Sequence, residues 1–553
     1  MKYRLLHLLL LYLAFSSCKA VKEDIKVLQH RFTYPILKSK PYNHVLLLEI
    51  QDRDSLTPTH LSGISIDLSG ETIPDDIESI TVYAVEGRDK FITPDSPVFA
   101  TSGKIASVVN LKGNMLLKKG ENFFWVSVKL KNKADISHTM TITCNMVKTD
   151  SAEIRPQPVP SGETKKLNLG VAVRKHGDNG VHTYRIPSLI TTNTGTLIAG
   201  YDMRYENSRD LQGNIDIGIS RSTDGGNTWG DHRVVLDRDT WGGLPEKFNG
   251  VSDASLLVDK NTGQIFVAGL WMHGVLNKNG AWITGLTETS DSWNHQWKNK
   301  GSQPGFGVKE TSQFLLSSST DDGLTWKAPV NLTQMCKKED WWLWAPAPGN
   351  GITMHDGTLV FPTQGRDANG LPFSNITYST DGGKHWQTSN PANHNTTECA
   401  VVQLSDGTLM LNMRDNRNRK EKGKANGRAV AITQDMGTTW TTHSSSHGAL
   451  IEPVCMGSLY KHEYMDKGEK KSILFFSNPN SREKRNNMTI KASLDNGKTW
   501  PEKYWILLDE GSGRGYSSLA SVDKNTIGIL YEGSQADMTF QTVDITSIMN
   551  DVK

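Results

Sequence analysis

Two hairpin-sized segments place complementary chemical groups at matched distances from a turn. Glu398 and Arg414 flank Ser405-Asp406-Gly407, and Tyr516 and Glu532 lie equally far from Lys524 at the centre of Asp523-Lys524-Asn525. If each segment folds back at its turn, the paired residues face each other on neighbouring strands. Arg185 opens another apolar run, and Asp210 and Arg482 stand in polar connections. A guanidinium stays cationic at any working pH, and its planar fork binds a carboxylate in bidentate fashion, a geometry that a lysine lacks. Carboxylates can give or take a proton.

The elements that must bring these groups together repeat along the chain. The pattern Ser/Thr-x-Asp-x-Gly-x-x-Trp occurs from Ser222 to Trp229, Ser319 to Trp326, Ser379 to Trp386, Thr433 to Trp440 and Ser493 to Trp500, with starts 97, 60, 54 and 60 residues apart. Repeats of this period signal a propeller or solenoid. Each follows a short strand such as Ile215–Ser220. The Asp can accept backbone hydrogen bonds within the turn, the Gly supplies unusual dihedrals, and the Trp can pack between sheets, so these are structural turns. A second series of hairpins begins near Tyr184, Asp253, Gly349, Glu398, Val454 and Tyr516, which makes six units. The last lacks the turn motif, and the segment Leu167–Val173 can supply its outer strand and close the ring. The expected fold is all-β, with a six-bladed β-propeller over residues 165–553.

In a four-stranded meander, the start of strand 1, the end of strand 2 and the 2–3 connection share one face, and the 1–2 and 3–4 turns share the other. The Asp turns fall at 3–4 positions. Arg185, Asp210, Glu398, Arg414, Arg482, Tyr516 and Glu532 all fall on the opposite face, where a site is expected.

Tyr184-Arg185-Ile186-Pro187, together with the five Asp turns, resembles the RIP motif and Asp boxes of bacterial exo-α-sialidases (neuraminidases), over about 380 residues. The resemblance implies that Arg185, Arg414 and Arg482 clamp the substrate carboxylate. It also implies that Tyr516 is the nucleophile, Glu398 its base and Asp210 the acid/base, with Asp202 the competing acid. Glu532 would orient Arg185, and Arg204, Asp253 and Gln364 would contact other substituents of the sugar. Sialic acid carries a carboxylate on its anomeric carbon, so an attacking Asp or Glu meets like-charge repulsion where a neutral phenol does not. Tyrosine normally ionises near pH 10, so a neighbouring carboxylate must take its proton; tyrosine nucleophiles are a known exception among glycosidases. The implied activity is retaining hydrolysis of terminal sialic acid from glycoproteins, glycolipids and oligosaccharides through a tyrosyl-sialoside, with no cofactor. A trans-sialidase is a close variant. The alternative from another class is a noncatalytic propeller acting as a glycan or protein receptor, which has no use for Asp210, Glu398 and Tyr516 together.

The rest of the sequence sets the context. Length favours two domains. Alternating runs such as Val45–Ile50, Ile80–Tyr83 and Phe123–Val128 predict a β-sandwich over residues 22–160, a spacer or a carbohydrate-binding module, followed by a Pro-rich linker from Arg155 to Gly162. The 61 basic and 59 acidic residues balance, which gives no field for nucleic acid or a membrane surface. Lys2 and Arg4, an apolar run from Leu5 to Phe15 and then Ser16-Ser17-Cys18 read as a signal peptide over residues 1–20, with either lipidation at Cys18 or cleavage after Ala20. The expected location is the periplasm or a lipid-anchored cell surface, with secretion as the alternative, and the expected state is a monomer. Cys144, Cys336, Cys399 and Cys455 lack metal-ligand spacing and read as buried thiols, and the 16 histidines form no HxxxH cluster, so no metal is expected. Trp341-Trp342-Leu343-Trp344 is either a glycan platform or inter-blade packing, and an insertion from about Trp271 to Lys309 is expected to shape the site's mouth.

Overall fold

The structure, a computed structural model, describes residues 25–53, 58–159, 165–277, 279, 281–292 and 302–550. The expected signal peptide and Cys18 lie outside the described residues. The strands assemble into eight sheets among the described residues.

Two of these sheets come from residues 25–159. One has six strands in the order Gln157–Val159, Ile25–His30, Asn43–Asp52, Gly120–Leu130, Ile77–Val85 and Val98–Ser102. The other has four, in the order Glu153–Ile154, Thr143–Thr149, His60–Asp67 and Val108–Leu116. Alternation along the strands turns Val27, Leu46, Leu48, Ile64, Ile66 and Val126 into a shared core. The Pro-rich stretch read as a linker is partly strand, because Gln157–Val159 pairs in parallel with Leu28–His30 at the sheet edge. Pro158 is tolerated there because an edge strand leaves one row of N–H groups without a ladder partner.

The other six sheets are each built on a four-stranded antiparallel meander, numbered here as blades. Their inner strands contain Thr183–Thr191 in blade 1, Val251–Val258 in blade 2, Leu343–Pro346 in blade 3, Thr396–Gln403 in blade 4, Ser458–Asp466 in blade 5 and Ser517–Ser521 in blade 6. Ile36–Lys38 in blade 6 and Gly349–Asn350 in blade 2 add in parallel. Successive blades contact one another in order, and blade 6 returns to blade 1, so the blades form a closed propeller. Leu167–Arg174 is the outer strand of blade 6, hydrogen-bonded to Met538–Gln541. Gly170 is required at this seam: a Cβ would stand 2.5 Å from the Phe540 carbonyl oxygen.

The seam also joins the two parts of the molecule. Ile36–Lys38 and Thr139–Met140 both pair with the same closing strand. Lys38 Nζ donates to the Ala134 carbonyl at 2.9 Å and to the Asn227 carbonyl at 2.8 Å.

All five Asp turns connect the third and fourth strands of their blades. In the first, Asp224 Oδ1 accepts the Thr228 N–H at 2.9 Å, Ser222 Oγ accepts the Gly226 N–H at 2.9 Å, and Trp229 packs on Phe540 of the neighbouring blade. The other four repeat both bonds. The Trp341–Trp344 run is packing: Trp341 and Trp344 are buried, and Trp344 stacks on Phe314 of blade 2. The four described cysteines are buried free thiols.

Candidate active site

On the face opposite the Asp turns, the blades open into a cavity of about 700 Å³. Its walls include Arg185, Asp210, Asp253, Gln364, Glu398, Arg414 and Tyr516. Irregularities at the mouths of three inner strands help to aim these side chains. Register shifts occur between Arg185 and Ser188, between Ser252 and Ser255, and between Thr396 and Cys399. Such bulges bend a strand and redirect its residues. Ile186 at φ 60° and Asp253 at φ 65° sit in the left-handed region, a conformation that is unfavourable for the β-branched Ile186.

The blade 6 hairpin carries the first pair. Ser517 pairs with Tyr531, which sets Tyr516 opposite Glu532, and the Glu532 N–H donates to the Tyr516 carbonyl at 2.9 Å. The Glu532 side chain is a junction: Oε1 accepts from Arg185 Nε at 2.6 Å and from the Ile186 N–H at 3.0 Å, and Oε2 accepts the Tyr516 N–H at 3.0 Å. Burial pushes the Glu532 carboxyl up, but Arg185 and the two N–H groups outweigh it and hold the group below its ordinary value. In return, although burial opposes the charge on Arg185, Glu532 keeps its guanidinium firmly protonated.

The blade 4 hairpin carries the second pair. Cys399 pairs with Met413, so Glu398 and Arg414 meet at the strand ends, where Arg414 Nη1 donates to Glu398 Oε2 at 2.5 Å. The same Nη1 donates to Tyr516 Oη at 2.9 Å, and Tyr516 Oη donates to Glu398 Oε1. Burial, and then the charge of Glu398, push the phenol well above its ordinary value, while Arg414 and Arg485 pull it back only in part.

The third arginine at the cavity is Arg485, which replaces the expected Arg482. Arg482 is exposed and lies off the cavity wall, with its carbonyl accepting from Lys422 Nζ. The 2–3 connection of blade 5 turns outward at Ser481, whose Oγ accepts the N–H groups of Glu483 and Lys484 at 3.2 and 3.1 Å, and the chain re-enters at Arg485. Arg485 donates to the Arg514 carbonyl at 2.9 Å, and its guanidinium carbon lies 5.5 Å from the Tyr516 ring centroid. Arg185 stands over the same ring, also at 5.5 Å. Three guanidinium groups therefore surround one phenol. Arg209, Arg366, Arg419 and Arg514 line the cavity as well, beyond the expected set.

Arg204 also departs from expectation. It is 1% exposed and lies beneath the cavity, bonded to Asp202 Oδ2 at 2.9 Å and to Asp210 Oδ1 at 2.7 Å, so it positions carboxylates and does not face a ligand. Asp202, the competing acid, is fully buried and is occupied by Arg204, Ser252 Oγ and the Asp253 N–H. Asp210, with a side chain 47% exposed, can be reached from the cavity. Asp253 and Gln364 reach the wall as expected; burial, then the neighbouring Asp202, Glu398 and Asp210, push the Asp253 carboxyl well up.

The described residues nearest to a metal-ligand group are Asp216, Asp237 and Glu246, outside the cavity, with carboxylate oxygens within 4.8 Å of one another. Burial and then Asp237 push Asp216 up to about 8.

Residues 186–531 match the family model of the BNR repeat-like domain, and residues 22–153 match that of the N-terminal domain of BNR-repeat neuraminidase. The chain is 41% identical over 539 residues to a sialidase of Bacteroides fragilis, covering 93% of this chain and 94% of that one. A sialidase of Paraclostridium sordellii is 31% identical over 373 residues, covering 64% of this chain and 81% of that one. The solved structure of Hadza microbial sialidase Hz136 superposes with a TM-score of 0.84 at 36% identity, covering 94% of this chain and 99% of that one.

Proposed function

Because this chain belongs to the BNR-repeat neuraminidase family and is an exo-α-sialidase, a glycoside hydrolase, we propose that it cleaves sialosides with retention through a tyrosyl-sialoside. The observation that carries this reading is the Tyr516–Glu398 hydrogen bond inside a ring of Arg185, Arg414 and Arg485.

The arginines hold the substrate carboxylate and set the anomeric carbon over Tyr516 Oη. The phenol is too weak an acid here to stand ionised, so its proton moves to Glu398 as Oη attacks. The bond from the anomeric carbon to the glycosidic oxygen breaks while Asp210 protonates that oxygen. Arg414 Nη1, already bonded to Tyr516 Oη, stabilises negative charge developing there. In the second half, Asp210 takes a proton from water, the water oxygen attacks the anomeric carbon, and the departing Tyr516 Oη recovers its proton from Glu398. Two displacements restore the starting configuration.

A fluorinated sialic acid that traps the intermediate is expected to add its mass to the peptide containing Tyr516. Labelling elsewhere, with activity intact in Tyr516→Phe, overturns the assignment. Natural substrates in this reading are sialylated glycoproteins, glycolipids and oligosaccharides, and added lactose separates hydrolysis from transfer by its products. We further propose that residues 1–20 direct export, with a lipid anchor at Cys18, that the sandwich binds glycans, and that the enzyme is a monomer. Metabolic lipid labelling with a Cys18→Ser control, glycan binding by the whole chain with the active site blocked, and sedimentation test these three in turn.

A further inference from the structure

A sialoside seated with its carboxylate among Arg185, Arg414 and Arg485 sends its glycosidic oxygen toward Asp210, since an acid must come within hydrogen-bond reach of the oxygen it protonates. The sugar attached to that oxygen must therefore lie beside the Ser208–Asp210 segment. A second recess of about 210 Å³ opens there, sharing Arg185, Ser208 and Arg514 with the catalytic cavity and continuing to His176, His182, Thr183 and Asp537.

The catalytic steps leave most groups in this recess unused. The rings of His176 and His182 meet edge to face with centroids 4.6 Å apart, and His182 Nδ1 lies 2.6 Å from Thr183 Oγ1, which fixes the ring. Asp537 Oδ2 accepts the Tyr184 N–H at 3.0 Å, so the carboxyl is held by the start of the strand that carries Arg185. Arg514 is exposed at the border of the two spaces. An imidazole, a carboxyl and a guanidinium around a small polar recess match the alternating donors and acceptors of a sugar's ring hydroxyls.

We propose that this recess is the aglycone subsite, holding the hexose from which sialic acid is cut. The proposal rests on the exo-sialidase reading above, with Asp210 as the acid. Another recess, of about 280 Å³, flanks the same loop and is lined by Asn207, Gln212, Lys247 and Ser290, but it shares only Arg209 with the catalytic cavity. The first has the wider junction and is the one that touches Arg185.

The test compares two substrates, sialyl-lactose and an aryl sialoside that carries no hexose. For His182→Ala and His176→Ala, kcat/KM on sialyl-lactose is expected to fall by about tenfold or more, mainly through KM, the scale of one or two lost hydrogen bonds. Turnover of the aryl sialoside is expected to stay within about twofold, and His182→Gln, which keeps a donor, to recover part of the loss. Equal losses on both substrates, or no loss on either, overturn the proposal. So does a substrate split produced by Lys247→Ala in place of the histidine variants, which puts the hexose in the other recess. If the unmodified enzyme cleaves neither substrate, the exo-sialidase reading fails first and takes the subsite with it.

Discussion

Tyr516 donates its phenolic hydrogen to Glu398, although the two residues come from blades 6 and 4 with blade 5 between them. Neither hairpin makes this contact alone. It exists because the ring closes, which brings the mouths of non-adjacent inner strands together over the axis. Closure depends in turn on Leu167–Arg174, a strand contributed from the opposite end of the propeller sequence.

The first consequence concerns the base. Since burial and Glu398 together keep the phenol protonated, attack by Tyr516 depends on Glu398 accepting the proton. Glu398→Gln keeps the shape and removes the acceptor charge. Its kcat is expected to fall by roughly 10² to 10⁴, the usual contribution of a positioned base. Single-turnover measurement of intermediate formation checks this, and a variant that forms the intermediate at the normal rate contradicts it.

Arg485 and Arg482 offer a direct contrast. Arg485→Ala removes a cation from the phenol's surroundings, and kcat/KM is expected to fall by roughly 30-fold or more, in line with truncation of one partner of the ion pair made with a bound substrate carboxylate. Arg482→Ala, on the exposed side of the same connection, is expected to change kcat/KM by less than about twofold. Steady-state kinetics on one sialoside decide it; the reverse ranking restores Arg482 to the clamp.

This pair also marks where sequence becomes illegible. Register about Lys524 and Ser405–Gly407 could be counted, because antiparallel strands pair residue for residue from a turn, and Tyr516, Glu532, Glu398 and Arg414 fell where counting put them. A connection has no such period. Which arginine of Ser481–Asn487 turns inward depends on the Ser481 Oγ bonds that fold the first half outward, and a string of charged residues does not reveal them. The signal that was present is Arg485's position as the last cation before the strand Met488–Ser493. Arg204 is illegible for a related reason. Sequence shows an arginine at a strand end, but only the fold shows Asp202 beneath it and Asp210 folded back over it. The Asp turns are legible because the Asp and Ser/Thr side-chain bonds that shape them span only five residues.

Glu532 ties Arg185 to Tyr516 and carries a pH signature. Its folded value is depressed, so its stabilising contribution is fully present above the unfolded value of about 4.5 and is lost as pH falls through the folded value. Glu532→Gln leaves Arg185 buried without its counter-charge, an expected cost of about 3–5 kcal/mol at neutral pH. Urea unfolding of both proteins should show that difference constant above pH 5 and shrinking as the medium becomes more acidic. A gap that widens in acid contradicts the pairing.

Lys491 lies in the third strand of blade 5, with no exposed surface, and makes stability rise with pH as Glu532 does, but in a higher window. Its ammonium donates to Asn478 Oδ1 at 3.1 Å and sits 5.0 Å from the Trp505 ring centroid, but burial and then the nearby Arg428 lower its value to about 7. The unfolded chain keeps a lysine near 10.5. Between these values the unfolded state binds a proton that the folded state does not, so this residue makes stability rise with pH from about 7 to 10.5; below 7 its penalty is complete and constant. Lys491→Met removes the titration while leaving Asn478 short of one donor, a roughly pH-independent cost of about 1–3 kcal/mol. The stability of the variant relative to the parent is therefore expected to be greatest at pH 7 and to decline steadily toward pH 10. Paired urea unfolding at pH 7, 8, 9 and 10 measures that decline, and a difference that stays flat over the range would falsify the assignment of a neutral, buried Lys491.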